Sequence, residues 1–397
     1  MSNPATALFR QPDFVRLWLI GLVVFVVRWL ETLAVGVFIY RATGSPFVVA
    51  MMTMLRMLPM ALLGAVFGAL AERIDRRVAM IGVVVQMMAT SATLAVLSFI
   101  GELALWHLAV ASLLNGLSWA SDNPVRRAMM GEAVGIERMA RAMSADVASN
   151  NSSRMAGPVL GGALLATVGI EGAFALCAAL YLIALWAAIG VSRPAVRHPS
   201  GGAILARMAE GLAVVRRDPR LIAALIVTIV YNVFGWPFSA MIVVLGKDNF
   251  GLGPVGIGFL ASTEGIGAFI GAVAAALLAR PRHYGRIYVG GVILYLLALM
   301  VFAQLSDPVI GGLALLLTGV GGSCFAAMQT TIVYLAAPAE MRGRVLGILS
   351  VCIGSAAIGF IQLGIMANLF GAVAASTSTG LVGLLAMAAT WRWWRLL

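Results

Sequence analysis

The sequence predicts an all-α polytopic membrane protein with twelve transmembrane helices in two pseudo-symmetric six-helix bundles, and three observations carry that prediction. Of the 397 residues, 61% are hydrophobic and 11% charged, against roughly 25% charged in an ordinary soluble domain. That excludes a soluble globule. A bilayer-spanning helix takes about 20 apolar residues, so at about 33 residues per span and loop the chain has room for twelve. The chain also repeats itself at a spacing near 204 residues.

Apolar runs separated by Arg-rich or Gly/Pro-rich breaks place the helices at 14–40, 47–71, 77–99, 107–130, 142–168, 172–191, 222–246, 255–279, 286–305, 309–337, 345–370 and 372–391. Arg16-Leu17 opens the first, Ser45-Pro46 precedes the second, and Arg76-Arg77 leads into the third. In the second half Arg220-Leu221 leads into the seventh, Gly253-Pro254 precedes the eighth, and Pro338 to Arg344 separates the tenth from the eleventh. The repeat is visible at these punctuation points. Gly135 to Arg141 lies 203 residues before Pro338 to Arg344, superposing Glu137 on Glu340 and Arg141 on Arg344. Arg16-Leu17 lies 204 before Arg220-Leu221, and Ser45-Pro46 lies 208 before Gly253-Pro254. Parallel repeats with a binding site between them describe a class of secondary transporter. The expected organisation is an N-terminal bundle over 1–192, a linker over 193–221 and a C-terminal bundle over 222–397. Within the linker, Ile204, Leu205, Met208, Leu212 and Val215 predict an amphipathic helix on the cytoplasmic surface. The longest polar interruption, Ser192 to about Arg220, leaves no room for a soluble domain of useful size.

The net charge of +11 would suggest nucleic acid in a soluble protein. Here the positive-inside rule accounts for it. With a cytoplasmic N-terminus, 22 basic residues fall on cytoplasmic segments, Arg41 and Lys247 fall outside, and Arg28, Arg56 and Arg154 remain in the membrane. The expected location is a bacterial cytoplasmic (inner) membrane, multi-pass, with both termini inside. No charged leader and Ala-x-Ala cleavage site precedes the first span, so it is expected to remain as an anchor. Lys247, the only lysine, is followed by Asp248, so no phosphate-binding loop ending in Gly-Lys-Ser/Thr exists. Cys177, Cys324, Cys352 and the three histidines are scattered without metal-ligand spacing. No cofactor and no metal are expected. The expected partners are the lipid bilayer, a small-molecule substrate and protons, with no nucleic acid, and a monomer suffices.

Gly68-Ala-Leu-Ala-Glu72-Arg73-Ile-Asp75-Arg76-Arg77 resembles the loop signature of the major facilitator superfamily, Gly-x-x-x-Asp-Arg-x-Gly-Arg-Arg, with Glu72 for the Asp and Asp75 where the pattern has its second Gly. Asp122, near the inner end of helix 4, is the expected ionic partner of this gating motif. Gly157-Pro158-Val-Leu-Gly161-Gly162 resembles the antiporter motif of the superfamily's exporters, with small residues that permit a close helix crossing. With Asp122-Asn-Pro124-Val-Arg126, Asn150-Asn151 and the second-half loop bearing Glu340, Arg342 and Arg344, the pattern is similar to the enterobactin-exporter and macrolide-efflux branch. That resemblance implies proton-driven export from the cytoplasm by alternating access.

Ionisable residues inside a membrane cost a few kcal/mol each and mark functional sites. At about 1.5 Å rise per residue, Arg56 and Glu264 both lie roughly 13 Å in from the outer face and Arg154 at a similar depth. Arg28 and Glu31 share a face of helix 1 at i, i+3. The resemblance implies that helices 5 and 8 meet across the halves, which pairs Arg154 with Glu264. Glu31 or Glu264 is the expected proton carrier, with a structural Arg28–Glu31 pair as the alternative for Glu31. Three Arg against two Glu favour an anionic or zwitterionic substrate. Trp29, Asn115, Trp119, Asn150, Asn232, Trp236 and Gln329 are candidate cavity residues, with Tyr231, Phe234 and Phe325 as further aromatic surface. The expected function is therefore proton-coupled export of a small amphipathic molecule, a siderophore or drug. A lysophospholipid flippase or uncoupled facilitator of the same fold is the alternative. A membrane-embedded enzyme would need a catalytic set, and no Ser/His/Asp arrangement or His-Glu-x-x-His motif is present.

Overall fold

The computed structural model describes residues 8–70, 75–192 and 204–397; the side chains of 63–70, 123, 124, 136, 140, 204–209, 278 and 339 lie outside that description. The first half comprises α1 (Pro12–Thr43), α2 (Pro46–Leu70), α3 (Arg76–Phe99), α4 (Leu105–Val134), α5 (Ile136–Thr167) and α6 (Gly169–Gly190). The linker contributes α7 (Ile204–Arg217). The seventh span is α8 (Pro219–Val230), a π turn (Tyr231–Gly235), a 3-10 turn (Trp236–Ala240) and α9 (Met241–Asp248). Then follow α10 (Pro254–Leu278), α11 (Tyr284–Gln304), α12 (Pro308–Ala336), α13 (Arg342–Gly354) with α14 (Ala356–Phe370) as one span, α15 (Ala372–Ala389) and the short α16 (Trp391–Trp394). Nine spans among the described residues are long and apolar enough to cross a membrane. With α2, α4 and α5 the total is twelve. α4 and α5 fall short on composition, each carrying two Asn, several Ser and a run of charged residues.

Backbone geometry repeats between the halves. Gly44 (φ 61°) ends α1 and Gly251 (φ 62°) follows α9, while Gly169 (φ 71°) opens α6 and Gly371 (φ 84°) precedes α15. These left-handed turns suit glycine, which lacks the Cβ that would clash. Helix crossings repeat as well. A Cβ on Gly116 of α4 would overlap the Arg56 carbonyl of α2, and one on Gly319 of α12 would overlap the Glu264 carbonyl of α10. Bare Cα atoms thus let each pair of helices touch backbone to backbone.

Two apolar clusters fill the interior. Phe14, Leu17, Ile20, Val84, Met130 and Cys177 pack together within the first half, and a larger cluster holds Tyr288, Leu296, Leu299, Phe302, Leu315 and Phe360 of the second half together with Leu33, Ile39, Leu94 and Phe174 of the first. Large side chains such as Trp186 and Leu277 point outward and are exposed, as a lipid-facing surface requires. The halves meet where α5 runs along α10 and where α2 packs on α13 and α14. Glycines close the α5–α10 seam: Gly162 lies on the Pro254 backbone, Gly258 on that of Pro158 and Gly265 on that of Arg154. At the end that holds the α1–α2 turn, Tyr40 donates to Asp248 at 2.5 Å and Ser45 to Asn368 at 3.4 Å, tying the halves there.

Three local expectations change. The seventh span is one continuous helix in the sequence reading, but it breaks at Tyr231–Ala240, where Pro237 lacks an N–H and Gly235 stiffens nothing. Helix 5 begins at Ile136 rather than 142, because Gly135 (φ 75°) both ends α4 and starts α5, so the charged segment Glu137 to Arg141 is helical. Asp75 occupies no glycine conformation (φ −56°); it caps α3, its carboxylate accepting from the backbone N–H of Arg77 and Val78. The linker helix forms, with Val215 buried, Leu212 exposed and Glu210 paired with Arg344 at the start of α13.

Candidate functional site

Along the seam, α5 and α10 present opposite charges to each other. Arg154 Nη2 lies 2.6 Å from Glu264 Oε1, with side-chain exposures of 25% and 9%. The antiporter-like motif holds α5 in place for this contact. Gly157 lies against the Trp29 Cβ, Gly161 against the Leu30 backbone and Gly162 against Pro254, while the Pro158 carbonyl meets Gly258. The four residues therefore make α5 the strip that touches α1 on one side and α10 on the other.

An aromatic and cationic cluster continues from this pair into the first half. The Arg154 guanidinium lies 5.2 Å from the Trp29 ring, whose Nε1 donates to Asn150 Oδ1 at 3.4 Å. Arg28 lies 5.6 Å from the same Trp29 ring, and its guanidinium lies 3.4 Å from the centre of the Trp119 ring. Such contacts are worth about 0.5–2 kcal/mol. Trp119 Nε1 is buried with no hydrogen-bond partner among the described residues.

Glu31 lies elsewhere. Its buried carboxylate accepts from Ser91 of α3 at 2.9 Å and from Asn115 of α4 at 3.2 Å. No Arg28–Glu31 ion pair forms among the described residues: Arg28 is drawn to Trp119, while the hydroxyl and amide hold Glu31. A cleft opens beside it, with Glu31, Thr32, Arg56 and Asn115 among its polar wall and Val35, Ile39, Leu94, Leu108 and Phe174 among its apolar wall. Arg56 donates to Thr32 Oγ1 at 2.9 Å and forms no ion pair with Glu31 among the described residues.

Part of the gating motif lies within the described residues. Gly68, Glu72 and Arg73 lie outside the positions whose side chains are described. Arg76 pairs with Glu132 at 2.5 Å, and Arg77 donates to the Ile189 carbonyl at 2.5 Å. Among the described residues Asp122 pairs with Arg126, one turn on, at 3.2 Å. Arg126 also reaches Asp146 of α5, which takes Arg127 at 3.1 Å on its second oxygen. Arg126 is fully buried. It is therefore not one of the 22 surface arginines that set topology, and a bare Gly21 on α1 makes room for its guanidinium.

The second half is held by hydroxyls and rings. Thr228 Oγ1 contacts Tyr288 OH at 2.8 Å and accepts from Gln329 at 3.0 Å, and Asn232 donates to the Thr228 carbonyl. Tyr231 stacks on Phe325 at 3.9 Å. Trp236 sits in the 3-10 turn, and Phe234 packs beside it against the apolar cluster. The expected single set of cavity residues thus divides. Trp29, Trp119 and Asn150 gather at the seam, Asn115 joins Glu31, and Asn232 and Gln329 form a network inside the second half. In the second-half loop Arg342 donates to the Tyr334 carbonyl and stacks on its ring, Arg344 pairs with Glu210, and Glu340 is exposed. No group of His, Cys, Asp and Glu among the described residues could hold a metal.

Sequence reasoning missed Asp146, Arg127, Ser91 and the Tyr40–Asp248 contact. A signal existed for part of this: Asp122 and Arg126 are spaced i, i+4 on a helix, the spacing at which opposite charges meet.

The family model for the Major Facilitator Superfamily matches residues 17–361. Macrolide efflux protein A of Streptococcus pyogenes is 26% identical over 253 residues, covering 62% of this chain and 61% of the relative. The matched chain thus spans under two thirds of that relative's length. The uncharacterized MFS-type transporter YfiS of Bacillus subtilis is 25% identical over 332 residues, covering 80% of this chain and 78% of YfiS. Among solved structures, the nucleoside transporter NupG superposes with a TM-score of 0.78 at 10% identity, covering 95% of this chain and 98% of NupG. At that identity the likeness concerns the fold alone.

Proposed function

This chain belongs to the Major Facilitator Superfamily, and from that premise we propose that it exports a small amphipathic organic molecule, a drug or siderophore, in exchange for protons. It is a multi-pass membrane transporter. The observation that carries the finer reading is the Arg154–Glu264 pair. It is an ionic contact between two halves that must move apart in alternating access, and it lies at the level of the membrane where such charges are costly. Protonation of Glu264 cancels the attraction and lets α5 leave α10; deprotonation restores it. Glu31 is the second carboxylate able to take a proton, and its place beside the cleft, between Ser91 and Asn115, gives it a route to the surroundings independent of the seam.

The drug class is supported by the likeness to macrolide efflux proteins. The direction of insertion is supported by charge: the ends carrying Arg76, Arg77, Arg216, Arg217, Arg282 and Arg392 face the cytoplasm by the positive-inside rule, which puts both termini inside a bacterial inner membrane. The test uses purified protein in liposomes with an internal pH dye, to which macrolides, siderophores or lysolipids are added. A substrate-dependent proton signal, lost in Glu31→Gln or Glu264→Gln, is expected. Substrate movement without any proton signal would replace the antiporter reading by a facilitator or flippase.

A further inference from the structure

Resting on the transport reading above, we infer that the transported molecule carries an anionic group, which docks on Arg28 above Trp119 while its ring or apolar body lies along Trp29. Charge accounting leads there. Four guanidiniums, of Arg28, Arg56, Arg126 and Arg154, and four carboxylates, of Glu31, Asp122, Asp146 and Glu264, are set in or near this part of the first half and its seam, and every carboxylate is committed, Asp146 to Arg126 and Arg127. Glu264 holds Arg154 at 2.6 Å, Asp122 holds Arg126 at 3.2 Å, and Glu31 accepts from Ser91 and Asn115. Arg56 has at least Thr32 at 2.9 Å. Arg28 alone of the four guanidiniums has no hydrogen bond or ion pair from its side chain to any described residue.

An unpaired guanidinium inside a membrane is costly and faces a cavity or a partner as a rule. Arg28 is half-buried rather than sealed. Arg56 Nε and Arg154 Nε are sealed from solvent without partners, whereas no nitrogen of Arg28 is in that condition, although none of them is bonded either. Its position fixes what can approach. With the guanidinium 3.4 Å from the centre of the Trp119 ring, one face is covered by indole and the N–H edge is left for a ligand. That fork matches the two oxygens of a carboxylate, sulfonate or phosphate in a way an ammonium cannot. The Trp29 ring has Arg28 at 5.6 Å and Arg154 at 5.2 Å, so an aromatic body beside Trp29 has two cations within reach. An anion placed there also competes with Glu264 for Arg154, which links arrival of the substrate to release of the cross-half contact. A cationic molecule would meet two guanidiniums and no free carboxylate.

The test is equilibrium binding to the purified full chain, with no gradient, of 1-naphthoate and of its charge-reversed counterpart 1-naphthylmethylammonium, by isothermal titration calorimetry. Naphthoate is expected to bind at least tenfold more tightly than the ammonium compound. Arg28→Gln is expected to weaken naphthoate tenfold or more and erase the preference. Arg28→Lys should keep the preference at reduced affinity, and Glu264→Gln should tighten naphthoate by freeing Arg154. Elution profile and unfolding temperature check that each variant is folded, and Arg28→Lys carries the test if Arg28→Gln is not. Equal affinities, a preference for the ammonium, absence of naphthoate binding at millimolar concentration, or an Arg28→Gln protein that binds as well as the parent each overturn the inference. Because binding is read without transport, such a failure leaves the proton signal in liposomes standing, and loss of that signal leaves the anion site standing.

Discussion

The α2–α4 crossing of the first half and the α10–α12 crossing of the second are built alike, with Gly116 on the Arg56 carbonyl and Gly319 on that of Glu264, yet the interiors around them differ in kind. Around the first run Asp122, Arg126, Asp146 and Arg127, with Glu31 and Arg28 nearby on α1. Around the second, Thr228, Tyr288, Gln329 and Asn232 share neutral hydrogen bonds and Tyr231 stacks on Phe325. At a spacing of 204, Arg28 corresponds to Asn232 and Asp146 to Ser350. A helix crossing depends on the absence of a side chain, so the repeat keeps the glycines. Charges are not needed to hold the frame, and the two halves have diverged in them. The difference puts the buried ion pairs among the described residues in the first half and at Glu264 on its border.

The comparison is broken or sharpened by substitutions in matching places. The largest effect is expected from Arg126→Ala, which leaves Asp122 and Asp146 buried without their shared cation; breaking such a network costs about 3–5 kcal/mol, read as a large fall in thermal unfolding temperature in detergent. A fall no greater than that of a neutral second-half variant would remove the distinction between the halves. Gly116→Leu and Gly319→Leu force a side chain into a backbone contact, and overpacking of this kind costs about 1–3 kcal/mol or more. The two should lose stability about equally, since the frame is shared; a strongly unequal pair would argue against the repeat as a packing device. Tyr288→Phe removes one neutral hydrogen-bonding hydroxyl, worth about 1 kcal/mol, and should leave the pH dependence of transport untouched. Glu31→Gln, in contrast, should alter unfolding little and flatten that pH dependence. Smallest of all, Arg344→Ala loses a pair whose Glu210 side is 53% exposed, worth under about 1 kcal/mol, and its unfolding temperature should stay within error of the parent.

Much of the frame is legible in the sequence because its signals are long. Twenty-residue apolar runs and a repeat near 204 residues survive any local irregularity. The depth arithmetic that put Arg154 and Glu264 at one level needed only the helical rise, and the structure brings the two to 2.6 Å. What depends on direction around a helix was not legible. Arg28 and Glu31 share a face by spacing, but Trp119 draws one and Ser91 with Asn115 the other, and those neighbours come from α3 and α4. Arg126 counts with the topology-setting arginines in a linear tally because its second partner, Asp146, lies 20 residues away on another helix. The break in the seventh span could not be placed either, since Pro237 permits an irregular turn without specifying a π turn before it.

The central claim is that the contact between Arg154 and Glu264 is made and broken in the transport cycle. It is tested most directly by a double-mutant cycle on proton-coupled uptake in liposomes, with Arg154→Ala, Glu264→Gln and the two combined. The account predicts strong non-additivity, with the double variant no worse than the poorer single one, because the second change removes a partner already lost. Additive losses would contradict it and leave the pair without a shared role.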